Sequence, residues 1–333
     1  MALPTRPLGT TGMDITTVGF GAWAIGGGGW QFAWGQQDDK ESIAAIRHAI
    51  EVGINWVDTA AIYGLGHSEE VIADALEGIP AADRPYVFTK VGVIWDPADR
   101  AARAQRLMNP AIVRREVDDS LRRLRADRID LYQVHWPPRD DGTPIEEYWQ
   151  VMAELKASGK VRAIGLSNHD AALLRQAEEI AHVDSLQPPL SAINRMAAPD
   201  IAWAQAHGTG VIVYSPMQSG LLTGAFSADR VAALPADDWR RAHPSFTTGL
   251  QANLALADAL APVAERHRVP VGAVAVAWTL AWPGVTGAIV GARRPSQVDD
   301  WLPAAALRLT DADLDEIAEA ITSTGAGEGP ARW

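Results

Sequence analysis

Apolar and polar residues fall into blocks along the chain. Short β-branched and apolar runs recur at fairly even spacing, and between them apolar residues return at helical intervals, the signature of βα units around a parallel sheet. Eight runs read as strands: Thr17–Phe20, Ile54–Thr59, Tyr86–Lys90, Ile129–His135, Ala163–Ser167, Ser185–Pro188, Val211–Tyr214 and Gly287–Val290. The stretches Glu41–Glu51, Pro110–Leu124, Pro144–Ser158 and Val271–Trp282 read as helices. Ahead of the first strand, Leu8-Gly9-Thr10-Thr11-Gly12-Met13 carries turn chemistry between short extended pieces, which predicts a hairpin. No Ser-rich or Pro-rich linker divides the chain, so residues 1–333 are expected to form one α/β domain. The expected architecture is a (β/α)8 TIM barrel with an N-terminal β-hairpin capping the barrel bottom. Two long irregular stretches, Gly92–Asn109 and Thr223–Thr248, each follow a predicted strand, where barrel enzymes place site-forming loops.

Three apolar runs close on a polar residue. Asn55-Trp56-Val57 stops at Asp58, Tyr86–Thr89 at Lys90, and Leu131–Val134 at His135, while Tyr63 follows Asp58 by five residues. In a barrel the carboxyl ends of the strands build the active site, so these groups are candidates for chemistry. The chain has only four lysines, and one that ends a strand is not an ordinary surface charge. Taken singly, the bland readings hold: a loop tyrosine, a core histidine, a structural ion pair. Together they suit proton donation to a carbonyl oxygen. A phenol of pKa about 10 is a poor acid at neutrality unless neighbours tune it. An ammonium at Lys90, held by Asp58, would ease proton release from Tyr63, and a neutral His135 would orient the substrate oxygen.

Composition removes several alternatives. A chain of 333 residues with 47% hydrophobic content can bury a large core, and its formal charge of −12 disfavours nucleic-acid and membrane-surface partners. It contains no cysteine, which excludes disulfides and thiolate metal sites. The residues Met1–Arg6 lack the apolar stretch of a secretory signal. The apolar segment Val269–Val285 is interrupted by Pro270 and Pro283 and is shorter than the ~20 residues a membrane span requires. A cytoplasmic enzyme acting on a small carbonyl compound is expected, with homo-oligomerisation left open. No H-x-H pair or H-E-x-x-H motif is present, so no metal site is expected.

These blocks resemble the aldo-keto reductase superfamily, and the resemblance covers most of the chain. Arg6–Gly12 is similar to the family's N-terminal hairpin and Val18–Trp23 to its first strand; Asp58–Gly64 with Gly66–Glu69, Phe88–Lys90 and Val134–Pro137 are similar to its catalytic blocks. The resemblance implies catalytic roles for Asp58, Tyr63, Lys90 and His135. It also implies a nicotinamide cofactor and, because Gly66-His67-Ser68-Glu69 is similar to branches acting on sugars, the reverse oxidation of an alcohol or sugar hemiacetal as a further expected reaction. Gly21, Ala22, Trp23 and Asp58 would meet it at the strand ends; Ser167, Asn168 and Gln187 would hold its carboxamide, and Tyr214 would stack on the ring. Ser215, Pro216, Met217, Gly220 and Leu221 would continue along the pyrophosphate. Gly291, Arg293, Gln297 and Asp300 would hold the adenosine phosphate, where a guanidinium suits the 2′-phosphate of NADP(H), with NAD(H) as the alternative. Trp301 stands where many relatives have an asparagine, and Ala225 where many have a lysine.

Other readings compete. Gly19-Phe20-Gly21-Ala22-Trp23-Ala24 fits a dinucleotide fingerprint, but that motif must open a helix and the run Gly26–Gly29 does not. The glycines read as a mobile loop beside a pocket walled by Trp23, Trp30, Trp95 and Trp136, with Tyr63 and His135 reaching the substrate. A Schiff-base lyase using Lys90 is a second enzyme class. A barrel that binds NADPH as a sensor or subunit with little turnover is a third reading.

Overall fold

The computed structural model describes residues 2–100, 102–235 and 238–333. Met1, Ala101 within the first long loop, and Ala236 and Asp237 within the second lie outside the described residues. Eight parallel strands close into a barrel: β1 (Val18–Gly21), β2 (Trp56–Asp58), β3 (Tyr86–Val91), β4 (Ile129–Val134), β5 (Val161–Ser167), β6 (Ser185–Gln187), β7 (Gly210–Val213) and β8 (Gly287–Gly291). They follow one another in chain order around the ring, and β8 closes on β1 through the register Ala288↔Val18 to Gly291↔Gly21. Each predicted strand is present, with every end within two residues of its predicted place. Helices α1 (Asp39–Glu51), α2 (His67–Leu76), α3 (Pro110–Leu124), α4 (Ile145–Ala157), α5 (Ala171–Glu178) and α6 (Ala198–Ala206) flank the first six strands. Further helices, including Val271–Ala281, Pro295–Trp301 and Asp311–Thr324, surround the remainder. Among the described residues no helix is long and apolar enough to cross a membrane.

The N-terminal hairpin pairs Thr5–Pro7 with Asp14–Thr16 and lies at the amino ends of the strands. Asn55, one residue before β2, accepts from the Thr16 amide and donates to Asp14 O, both at 2.8 Å. Arg6 donates to Val285 O, two residues before β8, at 2.6 Å. Its side chains Leu8, Met13 and Ile15 join Trp56, Phe88, Leu131, Ala163, Ile212 and Ile289 in one buried cluster that fills the barrel interior. This apolar plug seals the bottom of the barrel and leaves polar chemistry to the other end.

The apparent dinucleotide fingerprint has a packing explanation. A Cβ on Gly19 would lie 2.1 Å from the Trp56 ring, so the glycine makes room for an indole inside the barrel. The glycine run departs from a plain loop. Ala24–Gly26 forms one 3-10 turn, and Gly26 packs so closely on the turn bearing Tyr63 that a Cβ on Gly64 would meet Gly26 O at 2.2 Å. The two long loops are also more ordered than their composition suggests. The first contains a small antiparallel hairpin, Val93–Ile94 with Gln105–Arg106, and the second contains Ala228–Ala232 and the 3-10 turns Trp239–Ala242 and Pro244–Phe246.

Candidate active site

The carboxyl end of the barrel gathers the four candidate groups. Asp58 is the last residue of β2, Lys90 the penultimate residue of β3, and His135 follows β4 directly. Tyr63 stands on the turn between β2 and α2. That turn is tied to its surroundings by two residues in the first turn of α2: Ser68 donates to Ala22 O at 3.0 Å, and Glu69 accepts from Thr89 Oγ1 and Arg123 Nε, both at 2.6 Å. The helix therefore fixes the phenol against the ends of β1 and β3.

Lys90 and Asp58 are both buried, with Lys90 Nζ donating to Asp58 Oδ1 at 2.5 Å and to Thr59 O at 2.8 Å. The other carboxylate oxygen accepts from Gln187 Nε2 at 2.8 Å and from Gln133 Nε2 at 3.5 Å. Burial pushes the Asp58 carboxyl up and the Lys90 ammonium down, each opposed by attraction to the other. A buried acid and base whose affinities for a proton have been drawn together can exchange it readily. Lys90 Nζ lies 5.2 Å from the centre of the Tyr63 ring. The sequence predicted that this ammonium would lower the phenol pKa. Instead burial, and secondly the charge of Asp58, hold Tyr63 well above its ordinary value, so the phenol is neutral at pH 7. Its hydroxyl makes no hydrogen bond within the protein among the described residues. The His135 ring meets Tyr63 edge-on with 5.7 Å between centres. Burial first, then the charges of Lys90 and Arg106, hold its imidazole well below the usual value and keep it neutral at pH 7.

All four tryptophans expected as walls, Trp23, Trp30, Trp95 and Trp136, join Tyr63 in one apolar cluster with Ala60, Ile62 and Val93. Trp34 and Trp239 extend it: Trp23 lies 5.1 Å from Trp34 and stacks on Trp239 at 5.7 Å. Neither was foreseen, because isolated tryptophans in irregular loops carry no periodicity.

Beside the phenol, the ends of β5, β6 and β7 present polar side chains. Asn168, at φ 61°, donates to His135 O at 2.9 Å and to Ser167 Oγ at 3.0 Å, and its Oδ1 accepts from Tyr214 Oη at 2.8 Å. Ser167 Oγ donates to Gln187 O at 2.9 Å. Behind them the buried His169 imidazole bonds Ser167 O at 2.8 Å and Tyr148 Oη at 3.0 Å. Ser215, Gln218, Ser219 and Gly220 all adopt positive φ, a backbone geometry that forms anion-binding concavities. Pro216 and Leu221 are buried and Met217 is half-buried against the core. This set fits a nicotinamide dinucleotide: amides and a hydroxyl for the carboxamide, a flat ring for stacking, and a turned backbone for phosphate.

The far end of the expected cofactor site departs from its simplest reading. The Arg293 guanidinium donates to Gln37 Oε1 at 2.5 Å, to Trp34 O at 3.4 Å and to Gln36 O, while Gln37 returns a bond to Arg293 O at 2.9 Å. Gln297 Oε1 accepts the Arg293 amide at 2.7 Å. Arg293 thus holds the loop after β1. Arg294 beside it is exposed, as are Gly291 and Asp300, and Trp301 is buried in the core. Among the described residues no group of three or more His, Asp or Glu side chains is placed to hold a metal ion.

Comparison with known proteins gives a consistent result. The Aldo/keto reductase family model matches residues 17–322. The aldo-keto reductase YhdN of Bacillus subtilis is 34% identical over 317 residues, spanning 94% of this chain and 92% of that protein. The NADH-specific methylglyoxal reductase of Escherichia coli is 34% identical over 333 residues, spanning 95% and 98%. Among solved structures, the glycerol dehydrogenase AKR11B4 from Gluconobacter oxydans matches with a TM-score of 0.88 at 35% identity, covering 100% of this chain and 99% of that one. With a barrel closed in chain order, polar strand ends gathered at one mouth and a match over nearly its whole length, the chain belongs to the aldo/keto reductase family.

Proposed function

We propose that the protein is an NADP-dependent reductase of aldehydes or ketones in which Tyr63 delivers the proton. The observation that carries this reading is the convergence of a neutral phenol, a buried Lys90–Asp58 pair and a neutral imidazole at one barrel mouth. A reduced nicotinamide, held by the residues at the ends of β5, β6 and β7, would supply the hydride. Tyr63 Oη donates to the carbonyl oxygen, and His135 fixes that oxygen by a second hydrogen bond in a pocket walled by tryptophans. Lys90, whose ammonium lies over the phenol ring and is made more acidic by burial, returns a proton to the phenolate and regains one from solvent after the product leaves.

Ser167, Asn168 and Gln187 would hold the carboxamide and the Tyr214 ring would stack on the nicotinamide, while the Tyr214 hydroxyl orients Asn168. The choice of NADP over NAD rests on the exposed Arg294, because a 2′-phosphate offers oxygens matched to guanidinium donors while the neighbouring Arg293 is engaged by Gln36 and Gln37. The Escherichia coli relative is described as NADH-specific, so the two cofactors must be compared directly.

The engagement of Lys90 speaks against the Schiff-base alternative. An amine 1% exposed, bonded to a carboxylate and a carbonyl, does not present a lone pair to a substrate. The test follows absorbance of the reduced nicotinamide with NADPH and NADH against a panel of aldehydes, ketones and the corresponding alcohols. Turnover with NADPH favoured is expected; binding of cofactor without turnover of any carbonyl or alcohol would instead support a sensor.

A further inference from the structure

The loop after β3 carries a charge that none of the chemistry above uses. Its hairpin pairs Val93 with Arg106, and directly paired residues of antiparallel strands project to the same face. Val93 belongs to the apolar cluster around Tyr63, so Arg106 is set on the pocket side of the hairpin. There its guanidinium lies over the Trp136 indole, 4.2 Å from the ring centre. Trp136 follows His135 in the chain and packs in the same cluster as Tyr63 and Trp30. The Arg106 charge also reaches the reacting groups, since it contributes to lowering the His135 pKa.

The neighbouring charges leave this guanidinium unneutralised. Asp140 is the acid in the group, and its carboxylate is already engaged: Oδ1 with Arg103 Nη2 at 3.0 Å and Arg139 Nε at 3.9 Å, Oδ2 with the backbone amide of Arg106 at 2.8 Å. The Arg106 side chain itself makes no hydrogen bond or ion pair among the described residues. Of the nearby charges that act on Arg106, two further arginines, Arg103 and Arg139, face the single carboxylate of Asp140, in a chain whose formal charge is −12. Stacking on an indole holds the plane of the guanidinium but leaves its in-plane N–H groups free. A half-buried guanidinium with free donors is a ready receptor for a carboxylate or phosphate.

We propose that Arg106, seated on Trp136, recognises an anionic terminus of the carbonyl substrate, so that the natural substrate is an aldehyde or ketone bearing a carboxylate or phosphate. This rests on the reductase reading above and specifies its substrate class. Acidity elsewhere on the chain makes the local excess of positive charge selective, because it repels anions except where Arg106 and its neighbours receive them.

The test compares matched probes on the full chain: 4-oxobutanoate with butanal, and glyceraldehyde 3-phosphate with glyceraldehyde. At low ionic strength at least one anionic probe is expected to exceed its neutral partner in kcat/KM by tenfold or more, mainly through KM, and the advantage should shrink as salt is added. Whichever pair shows it identifies carboxylate or phosphate as the ligand. In R106Q the ratio of anionic to neutral kcat/KM should fall by at least tenfold, with R106K retaining part of it. Saturable quenching of tryptophan fluorescence by succinate, absent in R106Q, gives a readout independent of turnover. Neutral probes reduced as well as both anionic ones by the unaltered protein, or an R106Q variant that keeps the full preference, would overturn the proposal. The first comparison needs no variant, so a folding defect in R106Q leaves it open to refutation. Absence of turnover with all four probes alongside succinate binding would count against the reductase reading and leave the anion site standing.

Discussion

Replacing Lys90 by Met isolates the interaction at the centre of the site. The ammonium is 1% exposed and Asp58 3% exposed, and Lys90 supplies the shortest hydrogen bond that the carboxylate accepts. Without it Asp58 keeps Gln187 at 2.8 Å and Gln133 at 3.5 Å, two neutral donors in place of a cation. Removing one partner of a buried pair costs about 3–5 kcal/mol, because the charge left behind is neither solvated nor compensated. The pH dependence follows from the sign of the shift. Burial already raises Asp58, and losing the opposing attraction of Lys90 raises it further, so the folded carboxyl of the variant titrates above the unfolded one. Its stabilising contribution is complete below the unfolded pKa and is lost as pH rises through the folded pKa. K90M should therefore be closest to wild type near pH 4 and fall furthest behind at pH 8. Denaturant unfolding of wild type, K90M, D58N and the double variant measures this directly. The double variant should recover 2 kcal/mol or about that of the loss, since no charge is then stranded. Single effects that add within about 0.5 kcal/mol would refute the reasoning, because they would mean the two groups do not interact.

Three further expectations concern the supporting structure. Tyr214→Phe removes the donor to Asn168 Oδ1 and should weaken binding of the reduced cofactor by about 0.5–1.5 kcal/mol, read by fluorescence quenching; an unchanged Kd would detach Tyr214 Oη from cofactor positioning. His169 has its pKa lowered by burial from 6.5 to about 4, so the stability it contributes is present above pH 6.5 and lost as pH falls through 4. The loss amounts to roughly 3 kcal/mol, and H169N should show a flatter stability profile over that window; parallel profiles would contradict the assignment. Gly64→Ala places a Cβ 2.2 Å from Gly26 O at φ 64°. Crowding of about 1–3 kcal/mol plus about 1–2 kcal/mol of left-handed strain should lower the melting temperature and disturb the Tyr63 turn, whereas a wild-type melt would show that the close approach is dispensable.

The barrel was legible because its strands alternate with amphipathic helices and each strand is a compact apolar run. Asp58, Lys90 and His135 were legible for a related reason: a polar residue closing an apolar run has few places to go in a closed barrel except the mouth. Other features depend on distance through space. Gln133 lies inside a strand that reads as apolar, and its contact with Asp58 spans 75 positions. The bond from Tyr214 Oη to Asn168 spans 46, and the clasp of Arg293 on Gln36 and Gln37 more than 250. No local pattern encodes such pairs. The Tyr63 pKa was misjudged for a different reason. The neighbouring ammonium is legible in the sequence, but the packing of Trp23, Trp30 and His135 around the phenol is not, and desolvation together with the charge of Asp58 sets the direction of its shift.

The central claim is that Tyr63 delivers the proton, and Tyr63→Phe tests it with one oxygen atom removed. General acid catalysis contributes typically ~10²–10⁴-fold, so kcat for aldehyde reduction should fall by at least that lower bound while quenching of reduced-cofactor fluorescence is unchanged. A variant that retains reduction within tenfold of wild type, or one that loses cofactor binding together with turnover, would contradict the account.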